Sequence, residues 1–177
     1  MNKANTTRRF AVNALLAAMC AVLGALSLNF GNLKITFEDL PVLIGALLFG
    51  PLDGLAIGGI GTLLYQLLRY GVTITTPLWI LPYALCGLLA GRYAKKRGFA
   101  LNTKQLACIV FTMGIMTFLL NTASLYVDSK IYGYYSFAFI FGVTVPRALI
   151  CLGKAAAFTA LLPSLLRAAK QALRDSR

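Results

Sequence analysis

Six apolar stretches joined by short polar links are the feature that most constrains how this chain can fold. They fall at about residues 10–29, 40–50, 52–68, 77–91, 105–126 and 134–166. Only 12% of the residues are charged and 59% are hydrophobic, whereas about 25% of the residues in an ordinary soluble domain are charged. The pattern predicts an all-α integral membrane protein, a six-helix bundle that forms a single membrane domain over residues 1–177.

The basic residues are concentrated in three regions, and this asymmetry predicts the topology. Most of the 17 basic residues lie before the first stretch, between the fourth and the fifth, or after the last: Lys3, Arg8, Arg9, Arg92, Lys95, Lys96, Arg97, Lys104, Arg167, Lys170, Arg174 and Arg177. Because such residues flank membrane spans mainly on the cytoplasmic side, we expect both termini and the 92–104 link in the cytoplasm. The predicted spans are residues 10–29, 38–50, 52–68, 77–91, 105–126 and 144–166. The first is expected to be a retained helix, since its apolar run is too long for a signal peptide.

The sequence offers little for metal, nucleotide or nucleic-acid chemistry. Histidine is absent, and the five acidic residues form neither a metal cage nor an acid–base pair at helical spacing. There is no glycine-rich phosphate loop with Lys and Ser or Thr. Four cysteines fall inside apolar stretches without metal-ligand spacing, namely Cys20, Cys86, Cys108 and Cys151. We therefore expect no cofactor, no metal and no nucleic-acid partner, and any ATP hydrolysis must come from partner proteins.

The second apolar stretch is too short to cross a bilayer by itself. A helix over residues 40–50 is roughly 16 Å long at about 1.5 Å per residue, whereas the hydrocarbon core is about 30 Å thick. Short helices survive at membrane depth where they line a cavity. With Glu38 and Asp39 directly before it, this helix predicts a cavity on the outer side; an ordinary tilted helix with an interfacial carboxylate pair is the alternative.

The last apolar stretch, residues 134–166, is too long for a single membrane crossing. As one helix it would be roughly 50 Å long, far more than one crossing needs. We expect a break at Gly142 and Pro146, because proline lacks the amide donor and disfavours helical geometry in the residue before it. Pro146 would then lie in the first turn of the final helix, and Arg147 would stand beside the helix N-terminus, where an anion is favoured.

Two basic residues inside the final helix are candidates for ligand binding. Lys154 follows Arg147 by seven residues, which is two turns along nearly the same face. Ionisable groups within a span are energetically expensive and are functional candidates by default. The alternative is that either residue pairs structurally with Glu38, Asp39 or a backbone carbonyl.

Aromatic and amide side chains cluster around the predicted outer connections. Trp79, Asn121 and Tyr126 belong to this group, and flat rings with a few polar groups are typical of a site for a small heterocyclic molecule. An aromatic belt at the membrane interface explains most of the rings equally well. Asn121 is different, because an amide within a span requires a hydrogen-bond partner. The predicted substrate-binding set is Glu38, Asp39, Trp79, Asn121, Tyr126, Arg147 and Lys154.

The first helix carries small residues at positions that share a face. They are Ala14, Ala17, Ala18, Ala21, Gly24 and Ala25, and small residues at this spacing let another helix approach closely within lipid. From the spacing alone, packing inside this chain is the favoured interpretation, and contact with a partner is the alternative.

Three segments together resemble a known family. They read KITFEDLPVLIGALLFGPLDGLAIGGIG at residues 34–61, LNT at 120–122 and VPRALI at 145–150, and they are similar to the membrane-embedded S components of energy-coupling factor (ECF) vitamin transporters, nearest the folate-type group. The resemblance implies six helices, both termini inside, an outward-facing site for a vitamin-like molecule, and residence in a bacterial plasma membrane. It also implies a transmembrane coupling subunit as partner, itself bound to two ATP-binding-cassette (ABC) ATPases, and delivery by toppling of the S component.

In that family the small residues of the first helix contact the coupling subunit, which favours Ala14, Ala17, Ala18 and Ala21 as a partner interface. The chain departs from the folate-type pattern at residues 61–63, which read GTL where an acid is common, and at the acidic pair before the second stretch. Folate is therefore the leading candidate, and pantothenate, pyridoxine, cobalamin and a queuosine precursor stay open. No catalytic residues are expected; the alternatives to an S component are a small membrane enzyme and a solitary carrier for a small anionic solute.

Overall fold

The computed structural model describes residues 3–30, 33–142 and 144–175. Within these ranges the chain is almost entirely helical, which confirms the predicted all-α class. The helices are α1 (Lys3–Ala25), α2 (Asp39–Phe49), α3 (Pro51–Tyr70), α4 (Thr76–Lys96), α5 (Thr103–Ile131), the short α6 (Phe137–Phe141) and α7 (Thr144–Asp175). Between α1 and α2 lies a small antiparallel hairpin, which was not predicted from the sequence. It is formed by β1 (Leu28–Phe30) and β2 (Leu33–Ile35), with Leu28 opposite Ile35.

Among the described residues, three stretches are long and apolar enough to cross a membrane by length and composition. They are Thr6–Ala25, Thr103–Ile131 and Phe137–Ala172, the last of which includes residue 143, outside the described part of the chain. Large apolar side chains lie on the outside of the bundle, and Leu68 and Leu149 are among the most exposed. Contiguous apolar surface of this kind is rare on soluble monomers, and it suits a protein that is surrounded by lipid.

The half-length helix α2 lies at the centre of the bundle. It has 11 residues, as the sequence predicted, and the side chains from Pro41 to Leu47 are all buried. It contacts α1, α3, α4 and α7. A helix that is apolar on every face is stable only when it is surrounded by other elements, so the sequence of α2 explains its central place. Its first residue, Asp39, is also buried.

A polar cluster fixes the start of α1 to the corner between α2 and α3. Gly50 forms the corner with φ of +107°, a conformation that favours glycine. The carboxylate of Asp53, in the first turn of α3, accepts hydrogen bonds from Arg9, whose Nε lies 2.9 Å from Oδ1, and from the amide of Asn13. Arg9 also donates to the carbonyl oxygen of Phe49 at 3.2 Å. The cluster satisfies a carboxylate that is almost fully buried.

Further bonds tie the last turns of α7 to the same end of the bundle. Arg8 donates to the carbonyl oxygen of Ala172 at 3.0 Å, and Lys170 donates to the carbonyl oxygen of Phe99 at 3.2 Å. Helix α7 has 32 residues and is therefore roughly 48 Å long. It runs well past residue 166, where the predicted span ended, and reaches the loop between α4 and α5.

The backbones of α3 and α4 touch at glycines. A Cβ placed on Gly87 would lie 2.1 Å from the carbonyl oxygen of Gly54, and one placed on Gly54 would lie 2.5 Å from the carbonyl oxygen of Gly87. No side chain fits at either position. Small residues at such contacts let helices approach closely in lipid.

A proline inside α4 is compensated from α5. Pro82 has no amide hydrogen, so the carbonyl oxygen of Leu78 loses its usual partner one turn earlier. Ser124 replaces it by donating a hydrogen bond to that oxygen at 2.8 Å. Ser124 is buried, and the bond therefore fixes the register between α4 and α5 beside Asn121.

The predicted break in the last apolar stretch falls partly on residue 143, which lies outside the described residues. Helix α6 ends at Phe141 and α7 begins at Thr144, but Gly142 has helical dihedral angles, with φ of −62° and ψ of −29°, and its amide donates to the carbonyl oxygen of Ala138 at 3.0 Å. The break at Gly142 and Pro146 therefore stays a prediction. The hydroxyl of Thr144 donates to the carbonyl oxygen of Ile140 at 3.0 Å, and Arg147 lies one turn inside the N-terminal end of α7.

Candidate functional site

Two adjoining cavities lie inside the bundle. The bundle cavity, of about 100 Å³, lies between α2, α4, α5 and α7. The loop-side cavity, of about 220 Å³, lies between the ends of α3 and α5 and the starts of α2, α4 and α7, next to α6. Thr36, Tyr83, Asn121 and Arg147 line both cavities.

The bundle cavity is long and changes character along its length. It extends on α7 from Arg147 to Phe158 and on α5 from Asn121 to Val110, which is roughly 16 Å at about 1.5 Å per residue. Polar groups line the end near Arg147, and the far end is closed by apolar side chains, among them Leu43. Such a slot suits a molecule with a polar end and an apolar or aromatic body.

Asp39 and Lys154 form an ion pair in the wall of the bundle cavity. The Nζ atom of Lys154 lies 2.6 Å from Oδ2 of Asp39 and donates a second hydrogen bond to the carbonyl oxygen of Thr36 at 2.9 Å. The two side chains are 10% and 19% exposed. A buried ammonium is tolerated when an opposite charge and further acceptors surround it. Of the alternatives that the sequence left open for Lys154, the structure shows pairing with Asp39 and with a carbonyl.

Arg147, unlike Lys154, has no carboxylate paired with it among the described residues. Its Nη1 atom is buried and has no hydrogen-bond partner among the described residues. Two ion pairs occur in the described part of the chain, and neither includes Arg147. The guanidinium carbon lies 5.9 Å from the ring centroid of Phe118, which supplies a cation–π contact but no counter-charge. The structure therefore brings an unneutralised cation to the wall that both cavities share.

Asn121 and Glu38 stand on either side of the loop-side cavity. Oδ1 of Asn121 is buried without a hydrogen-bond partner in the parts of the chain that are described, and it is available to a ligand donor. Glu38 is 2% exposed, and its Oε1 accepts a hydrogen bond of 3.4 Å from the hydroxyl of Tyr83. The loop-side cavity thus combines a carboxylate and an amide with the cation that it shares with the bundle cavity.

Two aromatic members of the predicted set occupy different places. Trp79 lines the loop-side cavity, and its Nε1 donates to Oδ1 of Asp128 at 3.4 Å. Tyr126 lines neither cavity: it is 42% exposed and packs edge-on against Tyr135, with 5.5 Å between the ring centroids. Tyr126 follows the lining residue Leu125 by one position, which turns it about 100° away on the helix. Its position matches the interfacial ring that the sequence analysis gave as the alternative.

Several lining residues were not in the predicted set. They include Thr36, Tyr83, Thr117, Phe118 and Phe139. The signal for three of them was present in the sequence. Thr117 and Phe118 lie four and three residues before Asn121 and therefore on the same face of α5, and Tyr83 is a polar residue inside an apolar helix. Thr36 and Phe139 could not be found from spacing, because their place depends on how the helices and loops meet.

The small residues of α1 separate into two groups. Ala17 and Ala21 are 5% and 6% exposed, and a Cβ on Gly61 of α3 would lie 2.9 Å from the carbonyl oxygen of Ala17. Ala14 and Ala18 are exposed. The predicted interface of four alanines is therefore too broad: Ala17 and Ala21 pack inside the chain, and Ala14 and Ala18 remain on its surface.

A helical bundle with an apolar exterior and charged groups around internal cavities defines a membrane-embedded binding protein. In the part of the chain that the structure describes, no three His, Cys, Asp or Glu side chains form a group that could hold a metal ion. The sequence profile described as "ECF transporter, substrate-specific component" matches residues 8–169. The chain belongs to this family. It is a substrate-binding subunit of a transporter, and hence a transport protein rather than an enzyme.

The fold is also similar to that of a solved structure. The crystal structure of FolT bound with folic acid superposes with a TM-score of 0.63, covers 92% of this chain and 89% of that chain, and shares 22% sequence identity. At this identity the similarity concerns the fold. No curated protein matches the chain.

Proposed function

We propose that this chain captures an anionic vitamin-like molecule from outside the cell and passes it to the cytoplasm as the S component of an ECF importer. Folate is the leading candidate. The observation that carries the proposal is the guanidinium of Arg147, which is buried in the wall of both cavities without an anionic partner among the described residues. A buried donor without an acceptor is destabilising, and a carboxylate or phosphate of a ligand would remove that cost through a charge-assisted hydrogen bond.

The remaining groups suit the rest of such a molecule. The apolar end of the bundle cavity, closed by Leu43, Val110 and Phe158, suits an aromatic or aliphatic body. Oδ1 of Asn121 offers an acceptor for a ring N–H. FolT, which has the same fold, was crystallised with folic acid, and folic acid combines a heterocycle, an aromatic ring and carboxylates. These features favour folate or a related compound over a neutral solute.

The proposed topology places both termini in the cytoplasm and the loop-side cavity toward the exterior. We propose that residues 1–177 form one membrane domain and that the spans lie at about residues 10–29, 38–50, 52–68, 77–91, 105–126 and 144–166. Basic side chains support this orientation, because Lys95, Lys96 and Arg167 lie toward the ends of α4 and α7 that are far from the two cavities. The bacterial plasma membrane is the proposed location.

Binding from one side of a membrane tests the proposal. Right-side-out vesicles that contain the chain without its partners should bind radiolabelled folic acid saturably, whereas inside-out vesicles should show only background binding. Vesicles from cells that lack the chain are the control. Equal binding to both kinds of vesicle would contradict the proposed orientation, and absence of saturable binding in both would contradict the assignment of a folate-type ligand.

We further propose that Ala14 and Ala18 form the contact with the transmembrane coupling subunit, which binds two ABC ATPases, and that ATP hydrolysis drives toppling of the chain and release of the ligand. The two alanines are exposed, lie four residues apart and therefore share one face of α1. Small residues at this spacing allow close approach of a partner helix. Because both alanines are exposed in the isolated chain, a partner subunit can reach them, and this exposure supports the proposed contact.

Replacing both residues (Ala14→Leu with Ala18→Leu) should reduce the amount of coupling subunit and ATPases that copurify with the tagged chain by at least about ten-fold, which corresponds to about 1.4 kcal/mol. Binding of folic acid to the isolated chain should stay the same, because neither alanine lines a cavity. Ala156→Leu, at an exposed alanine of α7, is the matched control. Normal copurification of the double variant would show that the partner binds another surface.

A further inference from the structure

The bundle cavity contains two cations, but they differ in what they can offer a ligand. Arg147 and Lys154 lie two turns apart on α7, roughly 10 Å along the helix axis, and both line this cavity. Lys154 is already bound by the carboxylate of Asp39 at 2.6 Å and by the carbonyl oxygen of Thr36 at 2.9 Å. An anion that approached Lys154 would have to displace a carboxylate in a poorly hydrated environment, where this ion pair is strong.

The charge of the cavity follows from this pairing. Among the described residues that line the bundle cavity, the ionised side chains are Asp39, Arg147 and Lys154. The pair contributes no net charge, so Arg147 leaves the cavity with one positive charge. The loop-side cavity adds no second cation, because its described charged residues are Arg147 again and the carboxylate of Glu38. A second anionic group would therefore meet either a neutralised lysine or an acid.

We propose that Asp39 is a specificity-determining residue: by neutralising Lys154 it limits the site to a ligand with one buried anionic group. The inference rests on the proposed function, since it assumes that the ligand's anion binds at Arg147. It names the substrate class more narrowly, as a molecule whose single buried negative charge meets Arg147. Any further negative charge of the ligand stays at the mouth of the site, in contact with water.

Pteroic acid and folic acid differ in the number of carboxylates that they carry. Pteroic acid has one carboxylate, whereas folic acid has the same ring system joined to an amino-acid residue that has two carboxylates. The measured quantity is the affinity for folic acid divided by that for pteroic acid, determined by calorimetry on the purified full chain. In Asp39→Asn, Lys154 loses its counter-charge but keeps the carbonyl oxygen of Thr36, and it becomes available to a second ligand carboxylate. The ratio should rise by at least about ten-fold, because Lys154 would then donate a charge-assisted hydrogen bond to the second carboxylate of folic acid.

A second variant keeps the test valid if an unpaired lysine impairs folding. Asp39→Asn combined with Lys154→Met leaves no buried charge at this position, and replacing a whole ion pair by neutral groups is usually tolerated. The ratio of this double variant should stay within about three-fold of the original, because Lys154 does not hold a ligand carboxylate in the unaltered protein. A fall of ten-fold or more would show that Lys154 does bind one and would overturn the proposal.

Asp53→Asn is the matched control, because it makes the same substitution in the other ion pair, which is remote from both cavities. Its ratio should not change. An unchanged ratio in Asp39→Asn, with binding of both compounds to the unaltered chain and loss of binding in Arg147→Ala, overturns this proposal alone. Failure of the proposed function gives a different result: either the unaltered chain binds neither compound, which overturns both proposals, or Arg147→Ala binds both compounds as well as the unaltered chain does.

Discussion

Replacement of Arg147 by alanine is expected to abolish capture of folic acid while leaving the amount of folded protein unchanged. Losing one partner of a buried charge pair at a binding site removes about 2–5 kcal/mol, which corresponds to roughly 30-fold to several thousand-fold in affinity. The ligand-free variant should be at least as thermally stable as the unaltered chain, because the buried Nη1 atom of Arg147 has no described partner in the free protein. A residue with a purely structural role would show the opposite change in stability.

Calorimetric titration and thermal unfolding in detergent measure the two effects. Arg69→Ala is the matched control, since Arg69 is an exposed arginine in the last turn of α3 and lines neither cavity. Arg147→Lys keeps the charge but loses the planar fork that binds a carboxylate through two bonds, so it should bind with intermediate affinity. If Arg147→Ala bound folic acid normally, Arg147 would not belong to the site and the proposed function would lose its main support.

The second large effect is expected where α3 packs against α4. Gly58→Ala should destabilise the protein strongly, because the added Cβ would lie 2.4 Å from the carbonyl oxygen of Tyr83, a backbone atom that cannot move alone. Overpacking of this kind costs about 1–3 kcal/mol or more. The adjacent Gly59→Ala provides an unusually close control, since the nearest atom to its Cβ would be the Cβ of Ala84 at 4.0 Å.

Thermal unfolding followed by size-exclusion chromatography in detergent distinguishes the two variants. Gly59→Ala should be neutral or slightly stabilising, because alanine is a better helix former than glycine by about 1 kcal/mol. Gly58→Ala should also weaken folic acid binding, since Tyr83, whose backbone it displaces, lines both cavities. Equal stability of the two variants would mean that the helices are further apart than the structure shows.

The half-length helix α2 could be predicted from the sequence. The short run between Pro41 and Pro51 gave a helix of 11 residues. This prediction relies on local geometry, since helix length does not depend on distant contacts. Arg147 could be selected because it is an ionisable group within an apolar stretch, and it lines both cavities.

Features that depend on how the helices meet could not be predicted. Asp39 and Lys154 are 115 positions apart, and nothing in the sequence chose that pairing over Glu38 or over a carbonyl alone. The same holds for Ala17 and Ala18, adjacent residues of which one is buried against α3 and the other is exposed. Periodicity gives the faces of a helix, but it does not say which face a neighbouring helix will cover.

The contacts of Arg8, Arg9 and Lys170 have a mechanical consequence for the whole molecule. Through them the first helix is joined to the α2–α3 corner and to the last helix, and the last helix is joined to the loop before α5. Neither α1 nor α7 can slide or tilt alone without breaking a charged hydrogen bond. A force applied to α1 is therefore shared by the bundle, which favours rotation as a rigid body over a change in the relative positions of its helices.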